Sequence, residues 1–464
     1  MPVHFIGIGG ISMSGLAQVL LGAGFPVSGS DSHLSELTEK LSAMGARIFT
    51  PQAASNIPED TALVVYTAAI HPDNPEYAEA VRRGIPMETR AEFLGHLMAN
   101  YPQAAAVAGT HGKTTTTSMV TEILLRTDCD PTISVGGILP TIGGNIRVGG
   151  GQTFLTEACE YTNSFLSFYP THAVILNIEA DHLDFFKNLD HIRRSFRAFA
   201  EEVPADGVLV LSDGVRDLED FAEGLPCRVI TAGLSPACDV YAADIAYDDD
   251  GCPSFTLFRK GGDCLGHVTL SVPGEHNIRN AAAAAALADS LGASAEAICE
   301  GLAAYRGTKR RFEHKGTFAG AQIVDDYAHH PQEITATLSA AARVPHARLI
   351  CAFQPHTYSR TKALLPGFIE ALSAADEVLL VPIYAARETD TLGVSSEDIA
   401  KGLRERGVAS RSFSSFEEIE AYLRKILIHG DLLITMGAGD VYLVGERLLA
   451  DTAVHQSTTS SASR

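Results

Sequence analysis

Residues 104–117 read AAAVAGTHGKTTTT. Ala104 to Ala108 is a run of small apolar residues, as a short buried strand requires, and a helical pattern follows from about Thr115 to Leu125. Between them stands Gly109-Thr110-His111-Gly112-Lys113-Thr114. Backbone N–H groups in such a strand-to-helix turn converge on an anion, and the helix N-terminus adds the positive end of its dipole. Lys113 can reach the outer phosphates of a nucleotide, and the Thr114 hydroxyl can ligate magnesium. The full pattern G-x-x-x-x-G-K-[ST] puts a glycine at position 107, where this chain has Val107; its extra glycine is Gly109. The competing reading is an ordinary turn with a surface lysine. Gly-Lys-Thr in a strand–turn–helix context favours the nucleotide.

Acids and histidines follow on the neighbouring segments. Glu157-Ala158-Cys159-Glu160 and Asn177-Ile178-Glu179-Ala180-Asp181-His182 each come after an expected strand. In a parallel sheet both leave by the same edge as the phosphate loop. Side chains there can hold magnesium against phosphates, or can simply cap and solvate the sheet end. Asp325-Asp326-Tyr327-Ala328-His329-His330 also ends a strand; a histidine pair lacking a third ligand is more often structural than metal-binding. A second glycine loop, Gly7-Ile8-Gly9-Gly10-Ile11-Ser12, follows the apolar strand Val3 to Ile8, with Asp31 after the next strand. This pattern approaches the dinucleotide fingerprint, but Ser12 stands where Gly or Ala is wanted for close helix–strand packing. A nucleoside diphosphate, NAD and a purely structural turn all remain open.

The rest of the chain alternates strand and helix. Further strands are expected at Pro26 to Ser30, Ala62 to Thr67, Ala173 to Asn177, Gly207 to Leu211, Ala321 to Val324, Arg348 to Phe353, Glu377 to Val381 and Asp431 to Thr435, with helices at Ser14 to Leu21 and Ala281 to Leu291. Residues 239–272 alternate apolar and polar positions and read as antiparallel strands. The 464 residues correspond to about three domains at roughly 150 each. With 46% hydrophobic and 20% charged residues, the chain can bury a core. Its net charge, 35 − 56 = −21, argues against nucleic acid and anionic membranes as partners. Residues 2–30 carry no charged side chain, yet glycines interrupt them and no basic residue precedes them, so neither a signal peptide nor membrane insertion is expected. Eight cysteines without a C-x-x-C pair fit a reducing, cytoplasmic setting.

Together the motifs resemble the Mur ligases, ATP-dependent amide-forming enzymes of peptidoglycan precursor synthesis. The stretches that carry this are HFIGIGGISMSGLA from His4, GTHGKTTTT from Gly109, EACEYTNSFL from Glu157, NIEADHLDFF from Asn177, GEHNIRNA from Gly274, KRRFE from Lys309, DDYAHHPQEI from Asp325, FQPHTYSRT from Phe353 and GAGD from Gly437. They run in family order along nearly the whole chain, and the first and the DDYAHHP stretch are most like the members that add L-alanine to UDP-N-acetylmuramate. The resemblance implies an α/β protein of three domains: a Rossmann-like UDP-sugar domain at 1–99, a P-loop ATPase-like central domain with a small antiparallel sheet at 100–312, and a Rossmann-like amino-acid domain at 313–451. A disordered tail is expected at 452–464.

The same resemblance implies roles for residues. Gly109, Thr110, His111, Gly112, Lys113, Thr114 and Thr115 would bind ATP phosphates, and Asn277, Asn280, Arg311 and Asp326 would complete the ATP site. Lys113, Glu160 and His182 would be catalytic, with Thr114, Glu160 and His182 holding Mg2+. Gly9, Gly10, Ser12 and Asp31 would hold the UDP portion, and His329 and Arg360 the incoming alanine. The implied reaction joins L-alanine to the lactyl carboxylate through an acyl phosphate, in a cytoplasmic monomer or weak homodimer serving cell-wall synthesis, cell shape and division. Two positions depart from relatives. Arg197 stands where several sister ligases have a lysine that becomes carbamylated, so no carbamate is expected. Thr357 replaces an arginine of some relatives, leaving Arg360. The rival readings are a recycling ligase that attaches an intact peptide, an NAD-dependent oxidoreductase, and a non-catalytic regulator that binds both nucleotides.

Overall fold

The computed structural model describes residues 1–450 apart from Ala68, Leu183, Asp184 and Arg387; the tail expected at 452–464 lies outside the described residues. Three sheets organise them. The first has five parallel strands in the order Arg47–Phe49, Val27–Ser30, Val3–Ile6, Leu63–Tyr66, Met87–Thr89. All four residues of Val3–Ile6 are buried. Val3 and Phe5 join one apolar cluster, while Ile6 joins another with Val64 and Ala80. A strand covered on both faces is a mostly apolar run, which is why this one is legible; its one polar residue, His4, is buried between Ser28 and Glu76. The three-residue outer strands have no such run.

The central sheet has ten strands. At its heart His172–Asn177, Gln103–Ala108 and Thr153–Ala158 lie side by side and parallel, with Ala108 opposite both Ile175 and Ala158. Their C-terminal loops therefore leave the same edge. Helices Lys113–Leu124 and Glu275–Ser290 pack together on one face, the second presenting a run of buried alanines from Ala281 to Ala286. The antiparallel strands expected within 239–272 form as Val240–Tyr247, Pro253–Arg259 and Asp263–Thr269. They extend this same sheet, through the pairs Ala232↔Val240 and Gly233↔Tyr241.

The third sheet has six strands: Glu313–Phe318, Ala321–Asp326, Asp431–Met436, Arg348–Phe353, Glu377–Leu380 and Ala409–Ser412. Only its first pair is antiparallel. Separate apolar clusters cover its two faces.

One cluster of buried side chains is continuous from Phe5, Leu16 and Leu94 to Phe154, Phe165 and Phe196, so the first sheet's layer and the central one share a core. Two glycines permit the approach. A Cβ on Gly15 would lie 2.9 Å from Ile146, and one on Gly95 would lie 1.8 Å from the Ser167 carbonyl oxygen. Helix Arg90–Met98 thus rests directly on the 3-10 segment Tyr161–Ser167, which follows Glu160. Gly95→Ala must push these backbones apart. It is expected to cost about 1–3 kcal/mol, seen as a lower urea midpoint; an unchanged midpoint would show that the contact yields freely.

Candidate active site

The phosphate loop needs glycine at two places. Gly109 has φ +147 and Gly112 φ +85. A Cβ on Gly112 would sit 2.7 Å from Asn280 Oδ1. Val107 is a buried strand residue, so the turn begins at Gly109 and a glycine two residues earlier has no task. The helix begins at Lys113, two residues before the sequence-based start. Asn177 clamps the loop: its side-chain carbonyl accepts the His111 N–H at 2.8 Å, and its amide donates to the His111 carbonyl at 3.1 Å. The Thr110 hydroxyl accepts the Glu179 N–H at 2.9 Å.

Lys113 curls back over the loop. Its ammonium donates to the carbonyls of Gly109 and Thr110 and lies 2.8 Å from Glu160 Oε2. Burial works against the charge, but Glu160 and its neighbours outweigh burial and hold Lys113 protonated. Glu160 Oε1 is buried without a hydrogen-bond partner, 3.6 Å from His182 Nε2. The Thr114 hydroxyl donates to Glu157 Oε2 at 3.1 Å. Among the described residues no three His, Cys, Asp or Glu side chains gather as a metal cage. A magnesium ion does not need one, because it takes one or two protein carboxylates and completes its shell with water and substrate phosphates. The unpartnered Glu160 oxygen and the Thr114 hydroxyl are hard oxygen donors of that kind, with the His182 imidazole alongside.

Two clefts open beside this cluster. Gly112, Thr115, Asn277, Asn280, Arg311 and Asp326 wall the first, six of the residues expected for ATP. Burial pushes the Asp326 carboxyl up to about 6 despite Arg311 beside it. Tyr161, His182, His329, Thr357, Arg360 and Glu388 are among the walls of the second. Arg360 donates twice to Asp181 Oδ1, at 2.9 and 3.2 Å. Burial opposes ionisation of Asp181, yet Arg360 and His182 hold it well below the usual carboxylate range.

The residues expected for the UDP portion stand apart, at the edge of the first sheet. Gly9 donates its N–H to Asp31 Oδ2 at 2.8 Å, so Asp31 shapes the glycine loop itself. Ser12 accepts from Arg90 Nη1 at 3.1 Å. Arg197 lies on helix Leu189–Glu201 and spends its donors on Glu201 and the Phe221 carbonyl.

Glu157, Asp181, Glu333 and Arg90 were not singled out from sequence. The first three sit inside motifs already quoted, Glu333 near the end of DDYAHHPQEI. Arg90 is a single charged residue at a helix start, and no local pattern marks it.

Burial lowers His329, His330 and His356 to about 4. An unfolded histidine titrates near 6.5. As pH falls from about 6.5 to 4 the unfolded chain takes up protons that these folded sites refuse, so stability declines across that window. His330→Asn keeps a capping side chain at the start of helix Pro331–Ala341. Its plot of urea midpoint against pH is expected to be flatter over that window; a curve parallel to wild type would refute the assignment.

Comparison with known proteins bears on this geometry. Residues 2–102 match the family model described as Mur ligase family, catalytic domain, residues 107–288 the Mur ligase middle domain, and residues 310–439 the Mur ligase, glutamate ligase domain. The chain is 57% identical over 448 residues to the UDP-N-acetylmuramate–L-alanine ligase of Lachnospira eligens, spanning 96% of this chain and 97% of that one. It is 56% identical over 447 residues to the enzyme of the same name from Agathobacter rectalis, with the same coverage. Among solved structures, the UDP-N-acetylmuramate–alanine ligase of Thermotoga maritima superposes with a TM-score of 0.80 at 28% identity, covering 98% of this chain and all of that one. A murein peptide ligase from Psychrobacter arcticus shares the fold, with a TM-score of 0.71 at 24% identity over 97% of this chain and 98% of that one. With three domain matches in order and this identity over nearly its whole length, the chain belongs to the Mur ligase family.

Proposed function

We infer that the protein joins L-alanine to the lactyl carboxylate of UDP-N-acetylmuramate, cleaving ATP to ADP and phosphate. The observation that carries this reading is the meeting of Lys113, Glu160 and His182 beside two clefts, one walled by Arg311 and Asp326, the other by His329 and Arg360. A carboxylate is a poor electrophile, so it must first be activated. Its oxygen attacks the γ-phosphorus of ATP, ADP departs, and an acyl phosphate remains. That step depends on neutralising phosphate charge more than on covalent help from the protein. Lys113 supplies one cation. Thr114, Glu160 and His182 would hold magnesium, which adds positive charge against the phosphate oxygens. The neutral amine of alanine then attacks the acyl carbon; the tetrahedral adduct expels phosphate, and the nitrogen gives up its extra proton as the amide forms.

The remaining groups fit around that step. Asn277, Asn280, Arg311 and Asp326 receive the ATP nucleoside and phosphates. The glycine loop with Gly9, Gly10, Ser12 and Asp31 receives the uridine diphosphate, and His329 and Arg360 the alanine. We take 1–99, 100–312 and 313–451 as the three units that carry these tasks. Eight cysteines, none bonded to another, support a cytoplasmic setting. All the groups named here come from one chain, and we take it to act as a monomer or weak homodimer.

Arg90 adds an argument for an anionic substrate. It is partly buried, it donates to Ser12, and the Cys159 thiol beside Glu160 lies within its field. Among the described residues no carboxylate pairs with it. Such a cation is costly unless an anion arrives. Arg90→Ala is expected to raise KM for the sugar nucleotide about tenfold or more, from a lost charged hydrogen bond of ~1.5–3 kcal/mol. KM for ATP should stay near wild type; equal rises in both would count against this role.

The reading itself is tested by phosphate release from magnesium-ATP and UDP-N-acetylmuramate. Turnover is expected only when free L-alanine is added. Glycine should serve roughly 10–200-fold less well, because a small apolar pocket rejects a missing methyl weakly. Turnover with L-Ala-γ-D-Glu-meso-diaminopimelate in place of alanine would make the protein a recycling ligase, and silence with both would overturn the ligase reading.

A further inference from the structure

Glu333 is a charged residue of the third domain that the proposed reaction leaves unused, and it touches the phosphate loop. It sits on the first turn of helix Pro331–Ala341. Its Oε2 accepts the backbone N–H groups of His329 and His330, at 3.0 and 3.2 Å. Its Oε1 lies 3.1 Å from Nδ1 of His111. His111 is the middle residue of the loop, and Asn177 grips its backbone from the other side. One residue therefore joins the central sheet to the third domain through its main chain and its ring together.

Further contacts reinforce this bridge. The His330 ring lies 5.1 Å from that of His111, and His330 Nε2 is 3.2 Å from the Ala180 carbonyl. With Nδ1–H held by Glu333, the other ring nitrogen of His111 is buried and has no partner, and His111 is among the walls of the nucleotide cleft. A buried nitrogen left unpaired is costly unless a ligand supplies the partner. A phosphate oxygen is such a partner when the ring is protonated. Burial disfavours that charge, but the Glu333 carboxylate outweighs it and raises His111 above its ordinary value.

We propose that Glu333 is a positioning residue, which holds His111 so that its free ring nitrogen faces the triphosphate only when the third domain is closed over the loop. ATP then meets the complete donor set in the same arrangement that shields the acyl phosphate from water. The inference rests on the ligase reading above.

The test compares Glu333→Gln, His111→Ala and the double variant with wild type. Glu333→Gln keeps an oxygen to cap the helix, and His111→Ala leaves that cap untouched, so loss of fold cannot imitate the result. Wild type must first turn over with L-alanine; if it does not, the ligase reading fails and not this assignment. Each single variant is expected to lower kcat at least tenfold, with KM for the sugar nucleotide within twofold of wild type. Each should also release more than one phosphate per amide formed. The double variant should be no slower than the slower single. Losses that multiply in the double variant, or one phosphate per amide in Glu333→Gln with full kcat, would overturn the proposal.

Discussion

The parallel pairing of Gln103–Ala108 between His172–Asn177 and Thr153–Ala158 is the constraint on which the site depends. Because the three strands run together and end together, the phosphate loop, the Glu157–Glu160 segment and the Asn177–His182 segment must emerge as neighbours. Asn177 then ties two of these loops directly. Ligand sites outside the carboxyl ends of parallel strands are a general consequence of this topology. Here it places Lys113 and His182 against Glu160, and Thr114 against Glu157.

Such a cluster is not arranged for stability. Removing charges from water costs several kcal/mol per ion, and a buried pair seldom returns a large surplus. Lys113 is held protonated, Asp181 ionised and Asp326 raised, and shifted groups of this kind gather at functional sites. The unpartnered oxygen of Glu160 and the unpartnered nitrogen of His111 carry the same message, since a ligand would complete both.

The two outer domains meet the central one by different means. The first shares an apolar core with it, and Gly15 and Gly95 let the chains approach closely. That contact is broad and apolar. The third is joined at the site largely by polar bridges, Glu333 to His111 and Arg360 to Asp181. Interfaces between domains of one chain are commonly more polar than a domain core, and this one follows that pattern.

The sequence alone determined what depends on local pattern. Val3–Ile6 and Ala104–Ala108 are covered on both faces and read as mostly apolar runs, and Gly109 and Gly112 announce a turn that needs positive φ. The strands Arg47–Phe49, Met87–Thr89 and Ala409–Ser412 escaped because each is short and lies at or next to a sheet edge, where polar side chains are tolerated. Glu160 and His182 could be picked out because each ends a strand beside the loop, but their distance could not. Only the tertiary structure decided that Glu333 would reach a loop 222 residues away, that Asp31 would bind its own glycine loop, and that Arg90 would face Ser12. Partners distant in the chain are selected by how sheets and domains pack, and the spacing of residues along the sequence carries no record of that.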